Sequence, residues 1–574
     1  MSSLQSNSAN KFEIGLVMAG AISAGAYSAG VIDFLIQALE EMANAKQNFP
    51  DEAPRHEVSI SVISGASAGG MTAALMTSMF NEEYQPITTL PAALPDNSLI
   101  KKNKLYDVWV EQIDIDGLLQ TDDLQRDNEQ VRSLLNSPIL NTIAENALHL
   151  RPSSEKRPYI TTPLHLYLTL TNLRGIPYTI DFEGGQGSGH HLAAHKDYFH
   201  FAMGNQSNSD QDCVWLDPSQ PSHSHWQLFK QCALATGAFP IGLAPRFISR
   251  PAKHYETRKW PIPQENGQAD GCIRMDTIAP SWSDNTVHKN GEYSFLAVDG
   301  GVIDNEPLEL ARRQLSADRL SNPRRAREAN RAVLLIDPFP AMDIMSADES
   351  GASADFDILQ TGMKLFTSLK NQARFKPEEL KLALNDDVFS RFLIAPSRRL
   401  SNGSAARYPI ASGCMGGFGG FLHKLFRVHD FQLGRRNCQK FLQDHFVIPM
   451  EEAKRNPIFA EYDEQAFNRI KRTVDGKDMV PIIPLAGRAT EQEFTLAWDG
   501  IKVNQSFIEA LQRKIDKRSK KVAYRLIDKK IDGLFKKNLS KLVYLWKGDT
   551  LIQGIVKKIE NDLVKFDLFS RSSM

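Results

Sequence analysis

Short apolar runs that lead into turns of small residues dominate the first eighty residues. Phe12 to Met18 is such a run and predicts a buried strand. Val58 to Ile63 is a second run, rich in β-branched residues, and is also typical of a strand. After the first turn, the spacing of Val31, Leu35 and Leu39 predicts a helix. Two strand-turn-helix units in succession indicate an α/β fold with a parallel sheet.

The pattern of apolar runs continues along the chain to about residue 336 and is then replaced by a mainly helical pattern. Met71 to Met79 follows the second turn without a charged residue, as expected for a helix packed on a sheet. Three more apolar runs predict buried strands, at His165–Leu170, Phe295–Val298 and Val333–Ile336. From Ala341 to Asp355 the chain is rich in Ser, Ala, Asp and Gly, which predicts a domain boundary. Beyond it the pattern is mainly helical.

The composition is that of a soluble globular protein. The 574 residues are 42% hydrophobic and 24% charged, with a formal net charge of −1, so nothing in the balance favours nucleic acid as a partner. The five cysteines are scattered and never spaced as Cys-x-x-Cys, which fits a reduced, cytoplasmic compartment. They are Cys213, Cys232, Cys272, Cys414 and Cys438.

The near-zero net charge hides a basic C-terminal tail. From about residue 501 onward, 18 Lys or Arg stand against 8 Asp or Glu, a net charge of +10. Ile508, Leu511, Ile515, Val522 and Leu526 recur at helical spacing among these cations, which predicts an amphipathic helix. Such a helix can make peripheral contact with an anionic membrane surface, or it can pack on the protein with its charges in water.

One uncharged segment imitates a targeting signal. Ile14 to Ile32 follows Lys11 and carries no charge, as a signal peptide or membrane anchor would. Its glycines and alanines make it weakly apolar for a membrane span, and Glu13 lies at the wrong end for a signal peptide. A strand, a loop and a helix therefore fit this segment better.

A polar insertion at about 184–225 invites a metal-site interpretation. It holds six of the 14 histidines, but their spacing matches no standard zinc pattern, and polar loops often collect histidine. We therefore expect no metal and no cofactor. The six are His190, His191, His195, His200, His223 and His225.

The residues Gly65-Ala66-Ser67-Ala68-Gly69 form a Gly-x-Ser-x-Gly pentapeptide between the second predicted strand and its helix. A serine on a sharp strand-to-helix turn needs small neighbours, because larger side chains would clash with the adjoining strand and helix. The pattern in this context indicates a nucleophile. The pentapeptide alone also occurs in ordinary glycine-rich turns.

Two further elements supply what a serine nucleophile needs. The small residues from Gly20 to Tyr27 follow the first strand and open a helix, so their backbone N–H groups can face an oxyanion. This loop has neither Gly-x-Gly-x-x-Gly nor Gly-Lys-Ser/Thr, so it predicts no nucleotide site. Asp299-Gly300-Gly301 ends an apolar run, and we expect this aspartate at the carboxyl end of a parallel strand, where such sheets place their sites.

The order of these three elements resembles the patatin-like phospholipase family over roughly residues 12 to 340. The resemblance implies a three-layer α/β/α sandwich with a mainly parallel sheet, and hydrolysis of carboxylic esters of lipids or phospholipids. It implies a catalytic dyad of Ser67 and Asp299. It also implies an oxyanion hole built from the backbone of Gly20, Ala21 and Ile22.

Softer similarities extend the resemblance, and one position departs from it. Leu168–Leu173 resembles a core strand of the family, and Ala233–Pro240 resembles the helix and proline that border its active site. The family's loop usually reads Gly-Gly-Gly-x-Arg/Lys-Gly, whereas this chain has Gly20-Ala21-Ile22-Ser23-Ala24-Gly25. The basic residue is missing, and Ile22 restricts the backbone.

We therefore expect a catalytic domain over 12–340 and a mainly helical C-terminal region over 356–574. The glycine-rich residues 413–420 are either a lid over a lipid-accepting mouth or a tight packing loop. Two other functions stay open. One is an α/β-hydrolase-type esterase whose triad includes His423 or His429, and the other is a non-catalytic patatin-like protein that binds through its tail.

Overall fold

The computed structural model describes most of the chain. The described residues are 10–88, 97–125, 130–150, 157–180, 189–204, 212–263, 273–283, 287, 290–316, 322–340, 388–530 and 534–571. The boundary expected at 341–355 and the thiol of Cys272 lie outside these residues. The division of the chain into 12–340 and 356–574 therefore stays a prediction.

The strands fall where the apolar runs predicted them, and several more appear. The strands are β1 Lys11–Met18, β2 Glu57–Gly65, β3 Ile160–Ile180, β4 His190–Met203, β5 Cys213–Leu216, β6 Arg246–Pro251, β7 Lys259–Pro263, β8 Ile273–Thr277, β9 Glu292–Asp299, β10 Arg331–Ile336, β11 Arg391–Ile394, β12 Val447–Pro449, β13 Arg472–Val474 and β14 Lys477–Pro481. All five predicted runs lie within strands, namely β1, β2, β3, β9 and β10.

Nine of these strands form one mostly parallel sheet in the order β11-β10-β1-β2-β3-β4-β5, with β9 and β6 attached beside β3. The first five strands of this order are parallel neighbours. β9 instead runs antiparallel to β3, with Leu170 opposite Asp299, and antiparallel to β6. The expectation that Asp299 ends a parallel strand was wrong, because β9 joins the sheet beside the carboxyl half of the long strand β3 in the reverse direction.

Helices cover both faces of the sheet, which confirms the α/β/α sandwich. The helices are α1 Gly25–Asn48, α2 Ser67–Met79, α3 Asn97–Lys101, α4 Lys104–Tyr106, α5 Ile115–Leu118, α6 Pro138–Ala147, α7 Ser224–Thr236, α8 Lys253–Glu256, α9 Leu308–Ser316, α10 Gly419–Leu422, α11 Lys424–Asp444, α12 Met450–Ala453, α13 Glu464–Ile470, α14 Gln505–Lys530 and α15 Leu534–Lys565. The two helices predicted from the pattern of the first eighty residues correspond to α1 and α2.

The two faces of the sheet bury different sets of side chains. On one face, α9 closes a small core with β1, β2, β3 and β10. Its members are Val17, Val62, Tyr167, Ala311, Leu315 and Val333. Because side chains alternate along a strand, Leu16 and Ile63 point the other way, into a large core shared with α1, α2 and α7.

Helix α1 runs through that large core and is crossed closely by α11. A Cβ on Gly30 would lie 1.9 Å from the carbonyl oxygen of Phe431, and a Cβ on Gly434 would lie 2.2 Å from that of Tyr27. Glycine at both positions lets the two backbones touch. The mainly helical C-terminal region is thus packed directly on the central helix of the sandwich.

Burial also accounts for the apolar character of the N-terminal segment. Residues 22–48 form the one helix of the described chain that is long and apolar enough to cross a membrane. In its most apolar window, 94% of the residues are buried inside the fold. The strand, loop and helix expected over residues 14–32 are confirmed as β1, a turn and the start of α1.

The polar insertion contains two sheet strands that the sequence did not predict. β4 pairs with β3 from Leu164 opposite Met203 to Ile180 opposite His190, and β5 pairs with β4. The first half of β4 is mostly exposed and the second half is buried. Its polar first half therefore hid the strand pattern. Residues 181–188 and 205–211 of the insertion lie outside the described residues.

Candidate active site

Ser67 occupies the sharp turn between β2 and α2. Its φ of 53° is left-handed, which is uncommon for a residue with a side chain. A Cβ on Gly65 would lie 2.7 Å from the carbonyl oxygen of Gly69, and a Cβ on Gly69 would lie 2.2 Å from that of Met18. The turn therefore needs the small residues that the pentapeptide supplies.

Thr236, the last residue of α7, fixes this turn from the opposite side. The backbone N–H of Ser67 donates to Thr236 Oγ1 over 3.0 Å. A Cβ on Gly70 would lie 2.6 Å from Thr236 Cγ2, so the α7 end and the turn are in close contact. Sequence reasoning missed this residue, and its only signal was its position inside the segment Ala233–Pro240 that resembles the border of the family's active site.

Asp299 at the end of β9 meets Ser67 directly. The hydroxyl of Ser67 donates to Asp299 Oδ2 over 2.5 Å, and the N–H of Gly301 donates to Oδ1 over 2.7 Å. The hydroxyl of Thr171 donates to the carbonyl oxygen of Asp299 over 2.8 Å, which holds the strand end. Ser67 and Asp299 are 7% and 4% exposed. A fixed and nearly buried carboxylate thus accepts the hydrogen bond of the serine hydroxyl.

The predicted oxyanion loop lies against the same serine. A Cβ on Gly20 would lie 3.0 Å from Cβ of Ser67 and 2.4 Å from Asn305 Oδ1, so this position needs glycine. The N–H of Gly20 donates to the carbonyl oxygen of Asn305 over 3.0 Å. Within the described residues, the N–H groups of Ala21 and Ile22 have no such acceptor. These two amides are the members of the predicted trio that remain for an oxyanion.

Residues 413–420, called the covering segment below, lie over this loop. The hydroxyl of Ser23 donates to the carbonyl oxygen of Gly417 over 2.5 Å and accepts the N–H of Gly420 over 2.9 Å. The ring of Phe418 meets that of Phe239 edge to face, with centroids 5.5 Å apart. These contacts are those of a tightly packed loop beside the site, and the interpretation as a lid stays a prediction.

An apolar cavity of about 50 Å³ opens on the dyad. Apart from Ser67 and Asp299, its larger side chains are apolar, among them Met71, Trp109, Ile113, Leu118, Leu135 and Phe421. Met71 and Leu140 also line a second apolar cavity of about 30 Å³. Met71 and Leu140 thus stand between two small apolar cavities beside α2. Trp109 was not predicted, because it contacts the site from a π-helix over Asp107–Gln112 that carries no local motif.

The histidines considered as triad members are engaged elsewhere. His423 Nδ1 accepts the N–H of Leu425 at the start of α11, and His429 Nδ1 lies 2.8 Å from Asp430 Oδ1. Neither lines the cavity of the dyad. In the described part of the chain, no group of three or more His, Cys, Asp or Glu is arranged to hold a metal ion.

A serine on a strained strand-to-helix turn, bonded to a buried carboxylate in an α/β sandwich, is the arrangement of a serine hydrolase. The sequence matches the patatin-like phospholipase family over residues 16–312. It is also 35% identical over 557 residues to the uncharacterized protein y4iI of Sinorhizobium fredii, covering 90% of this chain and 76% of that protein.

A structural comparison adds little to this. VipD from Legionella pneumophila aligns with a TM-score of 0.21 and 11% identity, covering 98% of this chain and 93% of that chain, and so low a score carries no argument. The family match covers about half of the chain. The chain therefore belongs to the patatin-like phospholipase family, a family of lipid acyl hydrolases.

Proposed function

We propose that this protein hydrolyses carboxylic ester bonds of phospholipids, with Ser67 as nucleophile and Asp299 as base. Asp299 takes the proton of the serine hydroxyl while Oγ attacks the acyl carbonyl, and the N–H groups of Ala21 and Ile22 bind the oxyanion. The alcohol leaves with the proton held by Asp299. The same carboxylate then takes a proton from water, which attacks the acyl-serine, and returns that proton to Ser67 Oγ as the fatty acid leaves.

One observation carries this proposal, the 2.5 Å hydrogen bond from the Ser67 hydroxyl to Asp299 Oδ2. A serine hydroxyl is a weak nucleophile without an adjacent base. In this site the base is held by the N–H of Gly301, and the pair is nearly excluded from water. Burial of this kind strengthens the interactions that act on the reacting atoms.

The lining of the site supports a lipid as the acyl donor. Beyond the dyad the cavity offers apolar side chains, and a second apolar cavity lies on the other side of Met71 and Leu140, which line both. A hydrocarbon chain placed there would leave water without leaving a polar group unpaired. Phospholipid, rather than another lipid ester, is favoured by the family to which the chain belongs.

Two substitutions test the dyad. Ser67→Ala removes the nucleophile, and Asp299→Asn keeps the shape of the side chain but removes the base. Each is expected to lower phospholipid hydrolysis by about a thousandfold or more in a folded protein. Fatty acid release from mixed lipids, followed by mass spectrometry, measures the activity, the substrate and the position of cleavage together.

Two controls separate this mechanism from the alternatives. His423→Asn keeps a capping side chain at the start of α11 and should retain activity, whereas a triad that uses His423 would lose it. A fluorophosphonate probe should label the wild-type protein at Ser67 and leave Ser67→Ala unlabelled. Full turnover by Asp299→Asn would refute the dyad. Absence of labelling in the folded wild-type protein would refute the proposal and favour a non-catalytic role.

A further inference from the structure

An exposed apolar loop borders the cavity of the dyad. Residues 239–245, called the mouth loop below, read Phe-Pro-Ile-Gly-Leu-Ala-Pro and carry no polar side chain. All seven are partly or fully exposed. Ile241 is 76% exposed, the highest value among the large apolar side chains of the described residues. Apolar stretches of this kind on a folded surface mark contacts with other molecules or with membranes.

The backbone holds Ile241 in its outward position under strain. Its φ is 68°, which for a β-branched residue is a true outlier. The N–H of Leu134 donates to the carbonyl oxygen of Ile241 over 2.9 Å, and the N–H of Leu135 donates to that of Gly242 over 3.0 Å. Strained residues persist where their surroundings fix them, and they concentrate at functional sites.

The mouth loop and its hydrogen-bonded neighbour form one apolar rim. Phe239, Gly242 and Leu243 of the loop, and Leu135 beside it, line the cavity of the dyad. Ile241 and Leu134 are the outward members, and Leu134 is 50% exposed. A surface that received these two side chains would therefore lie directly at the entrance for an acyl chain.

A basic helix lies against this rim. Arg518 of α14 donates from Nε to the carbonyl oxygen of Leu134 over 2.5 Å and pairs with Asp123 over 2.8 Å. α14 carries nine Lys or Arg and three Asp or Glu, which gives the helix a net charge of +6. Arg513 and Lys517 on this helix are exposed. Positive charge thus flanks the apolar rim.

We propose that this rim docks on a bilayer that contains anionic phospholipid. Ile241 and Leu134 enter the apolar layer, while the cations of α14 contact the headgroups. A bilayer fits better than a protein surface because the loop offers no polar side chain for a specific hydrogen bond. The role of this contact rests on the proposed function. A docked rim would let an acyl chain pass from the bilayer to Ser67 without crossing water.

Vesicle binding by the full chain tests this surface. The parent protein carries Ser67→Ala so that the vesicles stay intact, and the vesicles contain phosphatidylcholine with or without phosphatidylserine. Ile241→Asn together with Leu134→Asn is expected to weaken binding about tenfold or more, from the apolar surface that no longer enters the bilayer. Arg513→Glu with Lys517→Glu should weaken binding mainly to the vesicles that contain phosphatidylserine.

Exposed apolar residues that do not line the cavity of the dyad serve as matched controls. Ile180 and Leu400 are 43% and 42% exposed, and Ile180→Asn with Leu400→Asn should bind vesicles as the parent does. In the protein that keeps Ser67, the rim variant should hydrolyse a soluble short-chain ester within about twofold of wild type, because Ile241 and Leu134 do not line the cavity.

Three results would overturn the inference. The first is that the parent binds neither kind of vesicle. The second is that the rim variant binds as tightly as the parent, and the third is that the control variant loses as much vesicle binding as the rim variant does. Rim-dependent vesicle binding by the parent, together with no ester hydrolysis by the protein that keeps Ser67, would support this surface while refuting the proposed function. The two proposals therefore fail separately.

Discussion

The nucleophile turn and the oxyanion loop lie side by side at the dyad, yet they are held in shape by different means. At the turn, the close contacts of Gly65 and Gly69 are with backbone of the turn itself and of β1. In the loop, Ile22 has a φ of 51°, and Ser23 is bonded to Gly417. The turn is thus fixed mainly by its own backbone and by the neighbouring strand β1, with Thr236 bonded to its serine, and the loop is fixed by a segment almost 400 residues away.

This difference shows how the chain can depart from its family's loop. A β-branched residue in the left-handed region costs about 1–3 kcal/mol and persists only where its surroundings enforce it. The covering segment supplies those surroundings, because Gly417 lies against the side chain of Ile22 and Ser23 bonds the segment at two points. The C-terminal region is therefore part of the site's structure.

Of the two regions compared, the nucleophile turn should give the larger loss of hydrolysis when it is disturbed. In Gly69→Ala, the new Cβ would lie 2.2 and 2.5 Å from the carbonyl oxygens of Met18 and Ala19, which are backbone atoms that cannot move alone. Displacement of the turn by about 1 Å should lower hydrolysis about a hundredfold or more. Initial rates on a soluble ester measure the effect, with thermal unfolding recorded in parallel.

A glycine with open space around it is the control. A Cβ on Gly500 would meet nothing within 4 Å, so Gly500→Ala should keep wild-type rates. If Gly69→Ala proved as active as Gly500→Ala, the requirement for small residues at the turn would be wrong.

A smaller loss of hydrolysis is expected when the contact between the covering segment and the oxyanion loop is disturbed. Gly417 has a φ of 101°, and a Cβ there would lie 3.2 Å from the side chain of Ile22, so Gly417→Ala should displace the covering segment and with it the loop. We expect about a tenfold loss of hydrolysis. Gly416 has a φ of 63° and open space around it, so Gly416→Ala should stay within about twofold. Equal rates for the two variants would show that the segment does not hold the loop.

The same contrast explains which parts of the site could be predicted from the sequence. Ser67 lies in a motif that occupies five consecutive positions, and Asp299 ends an apolar run before two glycines, so local pattern was enough for both. The direction of β9 was not predictable, because the run Phe295–Val298 reads the same in a parallel and in an antiparallel strand. The long strand β3, whose predicted core was His165–Leu170, gave no sign that it had partners on both sides of its carboxyl half.

Contacts between distant segments left no local signal. Thr236 and Trp109 meet the turn and the cavity from helices whose own sequences carry no catalytic pattern. Nothing in the sequence around Ser23 indicated its two bonds to the covering segment. The glycine at position 417 indicated either a flexible or a tightly packed segment. It did not indicate which residue the segment packs against.

The last prediction concerns the contact of His56 with the C-terminal region. We expect the smallest effect on hydrolysis here, and the change should instead appear in how the free energy of unfolding depends on pH. His56, just before β2, is fully buried between the hydroxyl of Tyr462 and the carbonyl oxygen of Ile482, each at 2.8 Å from a ring nitrogen. Burial lowers the pKa of His56 to about 4, assisted by the charge of Lys46 and opposed by the bond to Ile482. The folded protein therefore keeps this ring neutral where the unfolded chain, with a pKa near 6.5, already binds a proton.

Because the unfolded state binds more protons between these two pKa values, the free energy of unfolding should fall as the pH drops from about 6.5 to about 4, by as much as about 3 kcal/mol from this residue. His56→Gln cannot titrate, so its unfolding free energy should fall less steeply over this range, although it starts lower at neutral pH because a bond is lost. His165 and His254, whose pKa values burial lowers to about 3, keep part of the dependence in the variant. Urea unfolding of both proteins at several pH values measures the slopes, and parallel slopes would mean that His56 is not the neutral buried link between β2 and the C-terminal region.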